Sequence, residues 1–279
     1  RRGLFGNRGI HRGSLSMRAD KFFAGRFGSR TKAAEALEKG LISRNGKLLR
    51  PKDEIDSDEG IAIREAEERY VSNGGYKLAR ALREFFFDCG GKIFADIGAS
   101  TGGFTDCLLQ HGARKVYAID VGESLLHPSL KENVNVISLE KINARYLTNE
   151  NFSDTIEGVT ADVSFISLRL ILPVVKSLLA PDGTAFVLVK PQFECERRNI
   201  GKSGIVRTAE HPKIVGKVLS YCAESGLYPF GIVNAPVRKG KNLEYVLYLK
   251  NTYTGAASQA EILRTTRELL ERYARGILE

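Results

Sequence analysis

Phe94-Ala95-Asp96-Ile97-Gly98-Ala99-Ser100-Thr101-Gly102-Gly103-Phe104-Thr105-Asp106 reads as an apolar strand ending at Asp96, a turn through Gly98 and Gly102-Gly103, and a helix over 104–110. Lys115-Val116-Tyr117-Ala118-Ile119-Asp120 follows as a second strand that closes on an acid, 24 residues after Asp96. Strand, glycine turn, helix, strand is the opening of a doubly wound α/β sheet, whose ligand crevice lies beyond the strand C-terminal ends. Further strands are expected over 158–162, 185–190, 232–235 and 243–249, the last two as an antiparallel pair joined by the basic loop Arg238–Lys241. Helices are expected over 168–179 and 211–224. The count suits a sheet of seven strands.

The glycine spacing narrows the ligand. Dinucleotide sites use Gly-x-Gly-x-x-Gly, which lets backbone meet a pyrophosphate. Here the pattern is Asp-x-Gly-x-x-x-Gly-Gly, and a carboxylate suits a cationic cofactor better than a pyrophosphate. S-adenosylmethionine offers an amino group, a sulfonium and a ribose diol. The cofactor contacts expected are Asp96, Gly98, Ala99, Ser100, Thr101, Gly102, Gly103 and Phe104 from the loop, Asp120 on the diol, and Val121 and Asp162. Gly98 and Gly102 are expected to let backbone approach the methionyl portion.

Composition sets the outer bounds. A chain of 279 residues with 43% hydrophobic and 27% charged residues can bury a substantial core. Four scattered cysteines, none in a Cys-x-x-Cys pair, argue against a disulfide framework and against a metal site. No apolar run is long enough to span a bilayer. The formal charge of +9 is concentrated near the N-terminus: residues 18–52 hold ten Lys or Arg against three acids, and residues 53–68 invert to eight acids against one Arg. Residues 1–16, Arg-rich and free of acids, read as a flexible arm or a remnant.

Within the basic stretch, 18–27 reads as a short helix with Phe22 and Phe23 on its apolar side. Ser29 is expected to cap a second helix over 31–39 that Gly40 ends. Leu41-Ile42-Ser43, an Asn45-Gly46 turn and Leu48-Leu49 form a hairpin, and 60–64 a last strand. Cations at helix ends and turns suit the phosphate contacts that position a protein on a nucleic acid, which makes Arg18, Lys21, Arg26, Arg30, Lys32, Arg44 and Lys47 the candidate nucleic-acid-binding set.

Two lysines and two carboxylates fall where strand ends or loop edges should meet the crevice: Lys77, Asp162, Lys190 and Glu244. Methylating a hydroxyl, a poor nucleophile, needs a base or a strongly polarising neighbour. A lysine paired with a second cation and steadied by carboxylates answers that need.

The order Arg-x-Asp-Lys…Ser-Arg-x-x-Ala…Gly-Leu-Ile…Asn-Gly-Lys resembles the S-four RNA-binding domain. Tyr70–Leu78, Asp96–Thr105, Asp162–Leu168 and Val189–Glu194 resemble the TlyA-type (haemolysin A) family, in which an S-four domain precedes an FtsJ-like methyltransferase. The resemblance implies a class I S-adenosylmethionine-dependent methyltransferase fold of seven Rossmann-like strands, preceded by a small α+β domain. Its implied organisation is an arm over 1–16, the RNA-binding domain over 17–66, a linker over 67–71, the methyltransferase over 72–252 and a helical extension over 253–279. It also implies 2'-O-methylation of ribosomal RNA in ribosomal subunits, on cytidine, in the cytoplasm and away from membranes. Oligomeric state stays open. The resemblance gives Lys77, Asp162, Lys190 and Glu244 the role of a catalytic tetrad. Asn73 departs from the family, which usually has a basic residue there. The alternatives are an RNA-binding assembly factor without turnover and a membrane-active haemolysin. Ile262, Leu263, Leu269, Leu270, Tyr273 and Ile277 mark one face of the extension, which either packs on the domain or meets a partner.

Overall fold

The computed structural model describes residues 16–63, 69–201, 203–237 and 240–278. The expected arm (Ser16 apart), the linker residues Glu67 and Glu68, Arg64, Arg238 and Lys239 of the basic loop, and Glu279 lie outside the described residues. Two compact units divide the chain, Arg1–Glu68 and Arg69–Glu279.

In the first unit β1 (Met17–Arg18) leads into α1 (Ala19–Phe22), and Ser29 Oγ accepts from Lys32 N at 3.2 Å to cap α2 (Arg30–Glu38). β2 (Ile42–Arg44) turns into β3 (Lys47–Leu48) through Asn45 and Gly46, both at positive φ (51° and 81°) as a two-residue hairpin turn demands. β4 (Glu54–Ile55) pairs antiparallel with β1, and β5 (Ile61–Ile63) joins the free side of β2 to complete a β3-β2-β5 sheet. Phe23, Ala33, Leu37, Ile42 and Ile55 fill the core.

The expected helix over 18–27 is only one turn long. Arg18 belongs to β1, its register fixed opposite Glu54, and the chain leaves helical geometry after Phe23. The β1–β4 ladder was not foreseen, because two-residue strands carry no periodicity.

The second unit begins with α3 (Asn73–Glu84), then β6 (Ile93–Ile97), α4 (Gly103–Gln110), β7 (Lys115–Ile119), α5 (Pro128–Lys131) and β8 (Val136–Leu139). β9 (Ile156–Ala161), α6 (Leu172–Leu178), β10 (Leu179–Val189), α7 (Pro191–Glu194), α8 (His211–Glu224), β11 (Tyr228–Asn234), β12 (Tyr245–Lys250) and α9 (Gln259–Ala274) follow. The seven strands form one sheet in the order β11-β12-β10-β9-β6-β7-β8. β6 to β10 run parallel, and β12 lies antiparallel between β10 and β11.

Every residue of β6 is buried, as a central parallel strand covered on both faces requires. One face packs Leu78, Leu82, Phe94, Leu108, Phe186 and Tyr248; the other packs Ile97, Val159, Leu172, Val187, Val218 and Ile262. The strand order reverses beside β6, which opens a crevice at its C-terminal end.

Three boundaries differ from expectation. The helix over 168–179 splits into a 3-10 turn, Leu168–Leu170, and α6, with Pro173 in the first helical turn, where its missing N–H leaves no broken bond. β10 and β11 are longer than expected, the former through a register shift between Leu179 and Thr184. In the extension, α9 is closed by a reciprocal Ser258–Glu261 cap and packs on α8 and β11. Ile262, Thr266 and Leu269 are buried, whereas Ile277 is exposed because the helix ends at Ala274. No helix among the described residues is long and apolar enough to cross a membrane.

A Cβ on Gly158 in β9 would fall 2.1 Å from Phe94 Cε1. Gly158→Ala is expected to destabilise the second unit by about 1–3 kcal/mol through overpacking, read as a lower urea midpoint; an unchanged midpoint refutes the contact.

Candidate active site

Asp162 follows β9 directly, Lys190 follows β10, and Lys77 lies in the second turn of α3. Glu244 precedes β12. Because β12 runs antiparallel to β10, with Tyr245 opposite Val189, the residue before its start shares the sheet edge with the residue after the end of β10. The four side chains meet there in alternating charge. Lys190 Nζ lies 2.6 Å from Asp162 Oδ1, Asp162 Oδ2 lies 3.7 Å from Lys77 Nζ, and Lys77 Nζ donates to Glu244 Oε2 at 2.7 Å. Their side chains are between 10 and 20% exposed, close enough to solvent to be reached and buried enough that the charges interact strongly.

Three residues that the sequence reading did not single out complete this cluster. Lys190 Nζ also donates to Ser164 Oγ at 2.8 Å, and Gln192 Nε2 to Glu244 Oε1 at 3.4 Å. Glu194 is buried, and burial raises its carboxyl above the usual range. It accepts from Leu168 N at 2.6 Å and Ser167 Oγ at 2.7 Å, which ties the loop carrying Asp162 and Ser164 to the segment that begins at Lys190. None of the three stands in a repeating pattern; the sequence signals are that each follows a strand end closely and lies within the blocks Asp162–Leu168 and Val189–Glu194 that carry the family resemblance. Phe165 flanks them at φ 64°, 91% exposed, with its ring 5.1 Å from that of Phe193.

A cleft of about 730 Å³ runs from this cluster over the ends of β6 and β7, lined by Gly98, Ser100, Asp120, Val121, Asn143 and Asp162 among others. A smaller recess of about 190 Å³, lined by Ser72, Ala99, Thr101, Gly103, Phe104 and Lys190, shares Gly98, Ser100, Asp162 and Ser164 with it. Asp120 points its carboxylate where Ser100 N and Gly122 N each donate to it at 2.8 Å. Both oxygens keep a further lone pair for a ligand.

Two of the expected cofactor contacts stand back from these two openings. Asp96 is fully buried and lines neither opening; Thr105 Oγ1 and Thr160 Oγ1 donate to it at 2.6 and 2.9 Å, so it anchors the loop from behind. Gly102 also stands away from the lining. Its φ is 93°, and a Cβ there would meet Leu130 Cδ1 at 2.3 Å and Leu126 Cδ1 at 2.7 Å. Gly98, which does line the cleft, is at φ 80°, and a Cβ there would meet the Asp162 carbonyl oxygen at 2.6 Å. Both glycines therefore serve contacts within the protein.

In the first unit the candidate RNA-binding cations fall into two groups. Arg18 and Arg30 are bound to Asp20, and Arg44 to Asp56, Ser57 and the Glu59 carbonyl. Lys21, Arg26, Lys32 and Lys47 are exposed, and their side chains have no hydrogen-bond or ion-pair partner among the described residues.

The FtsJ-like methyltransferase family model matches residues 70–252. YqxC of Bacillus subtilis, a provisionally assigned rRNA methyltransferase, is 42% identical over 248 residues, covering 86% of this chain and 88% of its own. The 16S/23S rRNA (cytidine-2'-O)-methyltransferase TlyA of Mycobacterium tuberculosis is 35% identical over 237 residues, covering 84% and 88%. Among solved structures, a provisionally named hemolysin from Streptococcus thermophilus superposes with a TM-score of 0.71 at 34% identity, covering 94% of this chain and 99% of that one.

Burial lifts the Asp96 carboxyl to about 6, the threonine hydroxyls drawing it back and the Asp162 charge adding to the rise. An unfolded aspartate titrates near ~3.9. As pH climbs between these values the unfolded chain releases its proton while the native chain still holds it, so this group's contribution to stability falls with rising pH. Asp96→Asn removes the penalty. Its urea stability relative to wild type should therefore improve between pH 4.5 and 7.5, by roughly 1.4 kcal/mol per unit of raised pKa. A pH-independent difference contradicts the raised carboxyl.

Proposed function

The chain belongs to the FtsJ-like methyltransferase family and, within it, to the group of TlyA and hemolysin A proteins, and from that premise we propose that it methylates a ribose 2'-hydroxyl of ribosomal RNA, on cytidine, within ribosomal subunits in the cytoplasm. The observation that carries this reading is the alternating Lys190–Asp162–Lys77–Glu244 row, whose Asp162 lines the Asp120 cleft and whose Lys190 lines the adjoining recess.

The methyl donor is S-adenosylmethionine, and the residues present fit it. The cleft is within the volume range of pockets that enclose small ligands. The Asp120 carboxylate, steadied by two backbone N–H groups, suits a ribose diol. Gly98, Ala99, Ser100, Thr101, Gly103 and Phe104 would hold the remainder, with Val121 and Asp162 at the walls. When bound, the cofactor supplies an electrophilic methyl group on a sulfonium.

The chain's own residues prepare the acceptor. Lys190, gripped by Asp162 and Ser164, acts on the 2'-hydroxyl, orienting it and stabilising the negative charge that grows on the oxygen as its proton passes to water. Asp162 holds Lys190 and Lys77 in register. Lys77 and Glu244 complete the charge network, so that the carboxylate between the lysines is balanced on both sides. The first unit, with Lys21, Arg26, Lys32 and Lys47 exposed, supplies sequence-independent contacts to the RNA backbone.

The decisive experiment offers labelled S-adenosylmethionine and unmodified ribosomal subunits to the full chain and analyses the nucleosides by mass spectrometry. The expected product is 2'-O-methylcytidine; base methylation, or no transfer despite cofactor binding, overturns the proposal. Lys190→Ala should lower transfer by roughly 100-fold or more while calorimetry finds cofactor affinity nearly intact. Asp120→Ala should instead weaken cofactor binding by roughly tenfold, the loss of a charge-assisted hydrogen-bond pair. Retained turnover in Lys190→Ala removes that residue from the mechanism.

A further inference from the structure

Asp20 stands at the start of α1 in the most basic part of the chain and is only 4% exposed. Arg18 donates to it twice, from Nε to Oδ1 at 3.2 Å and from Nη2 to Oδ2 at 2.7 Å. Arg30 Nη2 donates to the same Oδ2 at 3.1 Å. The two arms come from separate elements that are each fixed independently: Arg18 from β1, paired with β4, and Arg30 from the first turn of α2, capped by Ser29. Although anchored at one oxygen, the arginine side chains stay 42 and 57% exposed. Neither guanidinium has another hydrogen-bond partner among the described residues. Most of their N–H donors are thus left over, side by side and within reach of a single acceptor group.

We propose that Asp20 is a positioning residue for RNA binding, holding Arg18 and Arg30 as one preorganised fork that takes a single phosphate of the RNA backbone. The inference rests on the RNA reading above and deepens it. An unsupported arginine loses rotamer freedom when it closes on a phosphate, and that loss weakens binding. Here the freedom is already lost in the free protein. The acid does not cancel the site, since two guanidiniums against one carboxylate leave a net positive charge, and the arginines draw the Asp20 carboxyl down to about 2 so that it stays ionised at any working pH. Arg44 is the contrast within the same unit. Its guanidinium is matched one-to-one with Asp56 and further bonded to Ser57 and the Glu59 carbonyl, and its side chain is 29% exposed.

The test turns on a sign. An acid near an RNA-binding face with no positioning role repels phosphate, and neutralising it tightens binding. Asp20→Asn in the full chain is expected to do the opposite. Filter binding to purified, unmodified 30S and 50S subunits across a salt series should show affinity about three- to tenfold weaker. The slope of log K against log salt should be shallower by about one, the signature of one lost phosphate contact. Equal or tighter binding with an unchanged slope overturns the fork.

A folding defect is separated by a double-mutant cycle. In an Arg18→Gln/Arg30→Gln background the Asp20→Asn effect should vanish if Asp20 acts through the arginines. If the loss persists there, Asp20 acts on the fold and the proposal fails. A wild-type chain that binds neither subunit in a salt-dependent way overturns the RNA reading itself, an outcome distinct from either of these.

Discussion

The Asp162 carbonyl oxygen lies so close to Gly98 that a Cβ there would approach it to 2.6 Å. That contact joins the loop after β6 to the loop after β9, and both halves of the site depend on it. One loop shapes the cleft where a cofactor is held; the other carries the carboxylate between two lysines. Asp162 N donates to Ile97 O at 3.0 Å, which continues the β6–β9 ladder one step past the strands. The reacting groups therefore inherit the register of the sheet. A side chain at position 98 would have to push one loop away from the other, and φ 80° there disfavours any L-residue before packing is considered.

Charge is arranged on this frame so that no member stands unpaired. Asp162 and Glu244 alternate with Lys77 and Lys190, and the lysines keep further acceptors or donors nearby in Ser164 and, through Glu244, Gln192. A partly buried ion row is costly to desolvate, and it survives only where geometry satisfies its groups. Glu194 contributes from below the surface. By accepting from Leu168 N and Ser167 Oγ it fixes the far end of the loop that begins at Asp162. The mobile parts of a lysine side chain are thus confined by neighbours that are themselves confined, which is how a site on loops acquires the precision of one on strands.

Much of this was legible in the sequence for a simple reason: residues at strand ends in a doubly wound sheet must face the crevice, so the strand reading alone placed Asp162 and Lys190. Glu244 was legible only through the antiparallel pair, since a parallel last strand would have put it at the opposite edge. At the glycines the structure adds contacts that the sequence does not display. Sequence suggests that a Cβ is unwelcome at 98 and 102, and it does not show that a Cβ there would meet Asp162 at one position and Leu126 with Leu130 at the other. For Asp96, alternation cannot say that the acid of a fully buried strand faces two threonine hydroxyls. Ser164 and Glu194 act through contacts 26 or 27 residues away in sequence, a range over which local pattern carries no information.

The two units solve a common problem with one device and different cations. In each, a carboxylate bridges two positive side chains from separate elements: Asp162 with Lys77 and Lys190, and Asp20 with Arg18 and Arg30. The choice of cation follows from the task. A guanidinium stays protonated and is planar, so after two of its donors are fixed the rest remain aimed and available, which suits the holding of a phosphate. An ammonium is compact and presents three rotatable donors, which suits a group that must turn towards a hydroxyl while held by a carboxylate and a serine. Exchanging lysine for arginine at 190 would keep the charge and lose that compactness, and exchanging arginine for lysine at 18 would keep the charge and lose the second prong on Asp20. Net charge is the same in both cases; what differs is how much of it stays directed once the carboxylate has been satisfied.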